Sequence, residues 1–377
     1  FMDWALNDPT NGSYSSGRIK IGIDGDFATS PSLSNDFAEL LAIQLAEWFN
    51  DINLNIPSNQ IISLVEIGPG EGDLSFDLLI ALEKLCPKLI QNFELVLVEI
   101  NDGMKARQKK KLSCFNNIRI RWADINELID NPISGVILAH EVLDALPVER
   151  VVQRNNELYQ IGVTLKEIES DYYIEYIDLP LTSNTKYLLE EYKDKCDLFI
   201  PPKNTLNGWN SEVHVNLDSW FSKVSSSLKV GTLLIIDYAL EAESYYKSSR
   251  ASGTIVSYRN QKMNNDVLRE AGLCDITSHL CIETLVMFAE KNRFELIGET
   301  KQGLALLSLG LADRITLLRE SEISTALNRR ESLLRLVDPS ALGSFRWLLF
   351  KTNTNKSYNE ICFNTSFLEE PVNVNYH

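Results

Sequence analysis

Between residues 61 and 140 the chain alternates short, mainly apolar runs with amphipathic segments, and this rhythm constrains the fold more than any other feature. Apolar runs at 61–67, 94–100, 118–122 and 135–140 are separated by helical periodicity at 72–85 and 102–113. Strands that lack polar alternation must be covered on both faces, which calls for a parallel sheet with helices on each side. A helix predicted over 216–228 feeds a further apolar strand at 232–238, and strands are predicted again at 294–300 and 344–352. The fold class expected is therefore α/β, doubly wound and Rossmann-like, with a mostly parallel seven-stranded sheet.

Other segments are built onto this frame. Phe37, Leu40, Leu41, Ile43, Leu45 and Trp48 predict a helix over 35–49 with Ser34 as its cap, followed by INLNIPSNQ as a linker. Residues 1–34 are dense in Gly, Ser and Asp and read as a structured loop. Their opening FMDWAL resembles the middle of an amphipathic helix, so the sequence is expected to continue upstream. VVQRNNELYQIGVTL and DYYIEYIDL predict a hairpin with a third strand, inserted into the βα rhythm. The expected division is 1–57, an N-terminal loop and helix covering the cofactor site; 58–150, the first half of the Rossmann-like domain; 151–212, an inserted β-rich substrate or partner lobe; 213–352, the second half of the sheet with a helical insertion; and 353–377, a loose tail.

A formal charge of −16 opposes binding to a phosphate backbone, so nucleic acid is not expected as a partner. The densest basic run, KARQKKKL at 105–112, reads as the solvated face of a helix. The six cysteines show no metal-ligand spacing, so no metal is expected and the thiols read as reduced and buried. No apolar run reaches the roughly 18 residues that span a bilayer, and no signal peptide opens the chain. A soluble cytoplasmic protein is expected, with homodimerisation left open.

The sharpest local signal is SLVEIGPGEGDLSFDLL, an apolar strand running through Gly68, Gly70 and Gly72 into a helix. Such glycines permit a tight turn and let the backbone approach a ligand at the helix start. The loop also carries Glu66, Glu71 and Asp73, which would repel a pyrophosphate but suit the amino acid end of S-adenosylmethionine. No Lys-Ser/Thr pair follows, which excludes a P-loop. Glu99 ends the second strand, where a carboxylate can accept both ribose hydroxyls, and Asp124 ends the third, in reach of an adenine amino group beside Trp122 or Ile125. The 27 positions from Gly72 to Glu99 exceed the roughly 20 of a dinucleotide fingerprint.

Beyond the loop, five segments stand out: FMDWALNDPTNGSYSSG, IGIDGDFATSPSLS, VEIGPGEGDLSFDLL, AHEVLDALPV, and IDYALEAESYY with GTIVSYRNQ. Together they resemble the MidA-like methyltransferases over nearly the whole chain, from Phe1 to about Phe350. That resemblance implies a class I methyltransferase sheet, S-adenosylmethionine as cofactor, and dimethylation of an arginine on a core subunit of respiratory complex I. The chain departs from the family by placing His140, in place of the usual Asn, before Glu141, and in the segment LCIETL after DITSH, where the family tends to carry an acidic residue near Cys281.

Methyl transfer is an in-line displacement, so the enzyme has to align a nucleophile and exclude water. The guanidinium of arginine is charged and delocalised, and a bidentate carboxylate would both orient it and hold its charge away from the attacking nitrogen. Glu141 is the first expected catalytic carboxylate and Asp144 the second, with His140 as a general base or a structural histidine. Asp26 and Asp237 are further expected contacts. Thr29, Ser30 and Pro31 read as a lid over the cofactor or a capping turn, with Gly25 supplying the bend, and Tyr14 and Tyr238 as pocket walls or core. Two other functions stay open: a cofactor-binding assembly factor without turnover, docking through the inserted β region, and a small-molecule methyltransferase.

Overall fold

The computed structural model describes residues 1–22, 25–169, 171–318, 323–352 and 361–370. Contacts divide the chain into two compact units: one of Ile21–Val142, Ser222–Asp237 and Asn292–His377, the other of Phe1–Lys20, Leu143–Phe221 and Tyr238–Lys291. These boundaries separate residues 1–20 from the helix that follows them, where the sequence suggested one N-terminal segment over 1–57.

The first unit holds the expected seven-stranded sheet. Its strands are β1 (Ile62–Ile67), β2 (Phe93–Val98), β3 (Arg119–Ala123), β4 (Ile133–His140), β5 (Leu228–Asp237), β6 (Phe294–Lys301) and β7 (Arg346–Thr352), in the spatial order β6-β7-β5-β4-β1-β2-β3. β3-β2-β1-β4-β5 run parallel, and β7 pairs antiparallel with both β5 and β6. Every residue of β1, β2 and β4 is buried, as their mainly apolar runs require.

Helices α1 (Asp36–Asn55), α2 (Asp73–Leu85) and α3 (Asp102–Lys111) follow the predicted periodicity. Two details differ at α1. Asn35, rather than Ser34, is the cap, and the helix runs on through INLN, because Ile52 is buried and extends the apolar face by a turn. Residues 361–370 depart from the expected loose tail. Phe367 is fully buried with its ring 6.1 Å from that of Trp48 and 5.9 Å from that of Trp347, and the Asn364 carbonyl accepts the Trp48 indole N–H at 2.7 Å. The rest of the expected tail lies outside the described residues.

The second unit carries the inserted β structure as a four-stranded antiparallel sheet, in the order 171–179, 157–168, 149–154 and 210–213. FMDWAL forms the short helix Met2–Asn7, which buries Met2, Ala5 and Leu6 against Ile255, Val267, Cys274 and Ile276, so this part of the expected loop is helical. Tyr14 packs on the same cluster and donates to Asp275 at 2.9 Å, which makes it core. Gly253 of the GTIVSYRNQ motif has φ +70°, and a Cβ there would come within 2.1 Å of the Glu212 carboxylate. Glu212, itself fully buried, accepts the backbone N–H groups of Thr254 and Ile255 and the Tyr245 hydroxyl. All six cysteines are unpaired, but Cys114 and Cys362 are exposed, against the expectation of burial. Among the described residues no helix is long and apolar enough to cross a membrane.

Candidate active site

Strand register gathers most of the expected cofactor residues. Ala123 pairs with Val98, Val98 with Ile67, and Ile67 with Ala139, so these four form one row across β3, β2, β1 and β4. One step along, at the carboxyl ends of the strands, the chain emerges as Asp124, Glu99, Gly68 and His140. Ligands of open parallel sheets bind at this edge, where strand ends diverge.

The loop after β1 turns on backbone that L side chains rarely adopt, with φ +64° at Gly68 and +51° at Gly70. Space is equally restrictive. A Cβ on Gly68 would stand 3.0 Å from Val142 and one on Gly70 2.9 Å from Ile21. Gly72, also left-handed, is the N-cap of α2. The segment before α1 thus touches the loop through Ile21, while Gly25 N–H bonds back to the Gly22 carbonyl at 2.9 Å. Ser30 is buried and exchanges hydrogen bonds with Gln302, and the Thr29 N–H donates to Ser32 at 3.0 Å. Thr29 therefore opens the short helix Ser30–Leu33 rather than α1. Asp26 is half-buried, and Ile23 and Asp24 of the same motif lie outside the described residues.

The loop carboxylates are arranged differently from the crowd of charges suggested by the sequence. Glu71 pairs with Arg107 at 2.9 Å and Asp73 with Lys111, so the basic run on α3 neutralises them, where it was expected only to face solvent. Glu66 is buried and accepts the Ser75 hydroxyl. Burial, with Asp73 nearby, raises its pKa to about 7, so its charge cannot be assumed.

Gln108, buried on α3, is the residue that sequence reasoning passed over. Its side-chain amide donates to the Gly70 carbonyl at 2.8 Å and to Glu99 at 3.2 Å, and its oxygen accepts the Trp122 indole N–H at 2.8 Å. One side chain thus joins the ends of β1, β2 and β3. Its spacing with Met104 and Leu112, both buried, is the inward stripe of a helix and was visible across MKARQKKKL. Glu99 also accepts the Asn101 N–H at 2.8 Å, and burial raises its pKa. Asp124 is exposed and caps the helix Ile125–Asp130 by accepting the Asn126 N–H at 2.8 Å. Ile125, half-buried, follows it.

At the end of β4, Glu141 has φ 52°, a left-handed conformation that is strained for any residue with a Cβ. Its N–H is held by the Ile236 carbonyl at 2.9 Å, and the next N–H, of Val142, by Asp237 at 3.2 Å. Both side chains of the His140–Glu141 pair are nearly buried, and His140 Nε2 lies 3.5 Å from Glu141 Oε1. The His140 ring packs on Phe37 with centroids 5.3 Å apart. Burial pushes its pKa down to about 3, which keeps the imidazole neutral and makes it a weak base. Asp144 belongs to the second unit, buried, with its carbonyl accepting the Ser278 N–H at 3.0 Å. Tyr238 is also in that unit, its ring 5.4 Å from that of His279.

A glycine loop after β1, carboxylates after β2 and β3, and a strained carboxylate after β4 define the doubly wound enzymes that hold an adenosyl cofactor across adjacent strand ends. The chain belongs to the family described as "Putative S-adenosyl-L-methionine-dependent methyltransferase", whose model matches residues 40–300. It is 25% identical over 369 residues to bovine "Protein arginine methyltransferase NDUFAF7, mitochondrial", covering 91% of this chain and 77% of the relative. The human protein of that name is 24% identical over the same share of each chain. A crystal structure from Burkholderia thailandensis bound to S-adenosyl-homocysteine superposes with TM-score 0.81 at 26% identity, covering 98% of this chain and 89% of that one. The relatives' names place them in mitochondria, which gives the cytoplasmic expectation no support.

The loop fits S-adenosylmethionine, because Gly68 and Gly70 hold the positive-φ backbone that a turn around a ligand needs and Glu99 is braced through both carboxylate oxygens at the edge.

Proposed function

We propose that the chain methylates an arginine of a protein, a subunit of an NADH-dehydrogenase-like complex, and that Glu141 is the carboxylate that grips the guanidinium. The observation that carries this reading is the left-handed backbone at Glu141. A residue with a Cβ is kept in that conformation, next to Val142 over Gly68, only at a cost of about 1 kcal/mol that a glycine would avoid.

In this reading Gly68, Gly70 and Gly72, with Glu66, hold the amino acid end of the cofactor, Glu99 the ribose, and Asp124 and Ile125 the adenine. Gly25, Asp26, Thr29 and Ser30 cover it. The bound cofactor supplies an electrophilic methyl group on a sulfonium. Glu141 accepts two N–H groups of the substrate, which orients the third nitrogen and keeps positive charge on the far side of the fork. The proton given up by the methylated nitrogen is assigned to Glu141. His140, neutral and packed on Phe37 beside it, walls the site rather than acting as base. Asp144 is kept as a second carboxylate on its place in the AHEVLDALPV motif.

The test is intact-mass measurement of subunits co-purified from the native host and treated with the purified chain and S-adenosylmethionine. One or two methyl masses on a subunit, absent with Glu141→Gln, supports the reading. Labelling of free metabolites and no protein overturns it.

A further inference from the structure

Natural sheets seldom leave a long, flat, apolar edge open, because its backbone groups and side chains recruit other strands. The second unit has a nine-residue edge strand with an exposed apolar face. Among the described residues, strand Asp171–Leu179 pairs on one side only, with 157–168, and it contains neither proline nor lysine. Register places Ile174 opposite Leu165, Tyr176 opposite Val163 and Tyr172 opposite Glu167, so these side chains share one face. Tyr172 and Leu165 are 68% and 67% exposed, and Ile174 and Tyr176 are exposed as well.

Charge narrows the occupant. Residues 157–179 carry six acidic side chains and one lysine, a net −5; Glu175 pairs with Lys166 at 3.2 Å and Asp178 with Arg154 at 2.7 Å, and Glu157, Glu167, Glu169 and Asp171 add the unbalanced negative charge. An antiparallel second copy centred on the strand would set Glu175 against Glu175, and like charges directly opposed are destabilising. An extended basic segment meets no such penalty. The face already shows the matching chemistry, since the Arg150 guanidinium carbon lies 5.4 Å from the centre of the Tyr176 ring.

We propose that strand 171–179 docks an extended, arginine-rich segment of the protein substrate as an added β-strand, with Tyr172, Ile174 and Tyr176 contacting its side chains and the acidic residues selecting its charge. This rests on the reading that the substrate is a protein, and it deepens that reading by placing recognition on a surface formed by the inserted sheet.

The experiment uses the full chain and two labelled peptides, one alternating arginine and valine and one alternating glutamate and valine, with binding followed by fluorescence anisotropy. The basic peptide is expected to bind and the acidic one not. Tyr172→Lys with Ile174→Lys should weaken binding by about tenfold or more, while circular dichroism and calorimetric affinity for S-adenosyl-homocysteine stay as in the parent. Glu175→Lys, which leaves the apolar face intact, should shift preference toward the acidic peptide. Equal binding of both peptides, no binding, or unchanged affinity in the folded double variant overturns the proposal. So does a sedimenting dimer that the double variant converts to monomer, because the edge would then belong to a second copy. Peptide binding requires no turnover, so loss of methylation in Glu141→Gln can stand or fall independently.

Discussion

Glu66→Gln isolates the titration of one buried carboxyl. Burial lifts the pKa of Glu66 from 4.5 to about 7, with Asp73 adding to the effect and the Ser75 hydroxyl opposing it. In the unfolded chain the same group ionises near its ordinary value, so across this window the folded state binds the extra proton. A carboxyl raised in this way contributes stability that is intact below the unfolded pKa and is lost as pH climbs through the folded one. A rise of this size corresponds to about 3 kcal/mol between pH 4.5 and pH 7. Glutamine has the same shape and can still accept the Ser75 hydroxyl, but does not titrate. The stability of Glu66→Gln relative to the parent should therefore improve by about 3 kcal/mol on going from acid to mildly alkaline buffer. Urea unfolding followed by tryptophan fluorescence, at a series of pH values, measures the difference. A difference that does not change with pH would refute the reasoning, because Glu66 would then be ionised in the fold.

Four further outcomes follow from the same structure. Gln108→Leu leaves the half-buried Trp122 N–H without its acceptor and unbraces Gly70 and Glu99, so it should cost about 1 to 2 kcal/mol in urea unfolding and weaken S-adenosyl-homocysteine binding by about tenfold in calorimetry. Glu141→Gly relieves a left-handed backbone and should raise thermal stability by about 1 kcal/mol while abolishing methylation. Gly253→Ala should lower stability by about 2 kcal/mol or more, since its Cβ meets the Glu212 carboxylate, and differential scanning fluorimetry will show it. His140 stabilises the fold while neutral, a contribution present above pH 6.5 and lost as pH falls toward about 3, so His140→Asn should flatten the acid side of the stability profile.

The parallel core of the fold was legible because β1, β2 and β4 are buried on both faces, which calls for mainly apolar runs whose few polar members find partners, as the Ser63 hydroxyl does by donating to Glu94 at 2.8 Å. Glu99 and Asp124 could be placed because a strand end is marked by the change from apolar to acidic residues. The charge of the glycine loop could not, since Arg107 and Lys111 reach Glu71 and Asp73 from 36 and 38 residues away. Nor could the division of units be read locally. Residues 1–20 cluster with 143–221 and 238–291, a long-range choice made by packing such as that of Met2 and Leu6 on Ile255 and Ile276. Phe367 and Asn364 were hidden in a polar stretch whose few apolar residues find Trp48 and Trp347.

The central claim is that Glu141 acts in methyl transfer to arginine and does not merely hold the fold. Its most direct test is a single-turnover reaction of the purified chain with isotopically labelled S-adenosylmethionine and the co-purified subunit, the label then located by fragmentation mass spectrometry in parent and Glu141→Gln. Label is expected on one arginine with the parent, and none with the variant although both bind S-adenosyl-homocysteine equally. Label on that arginine with the variant at the parent's rate, or label on another side chain, would contradict the claim.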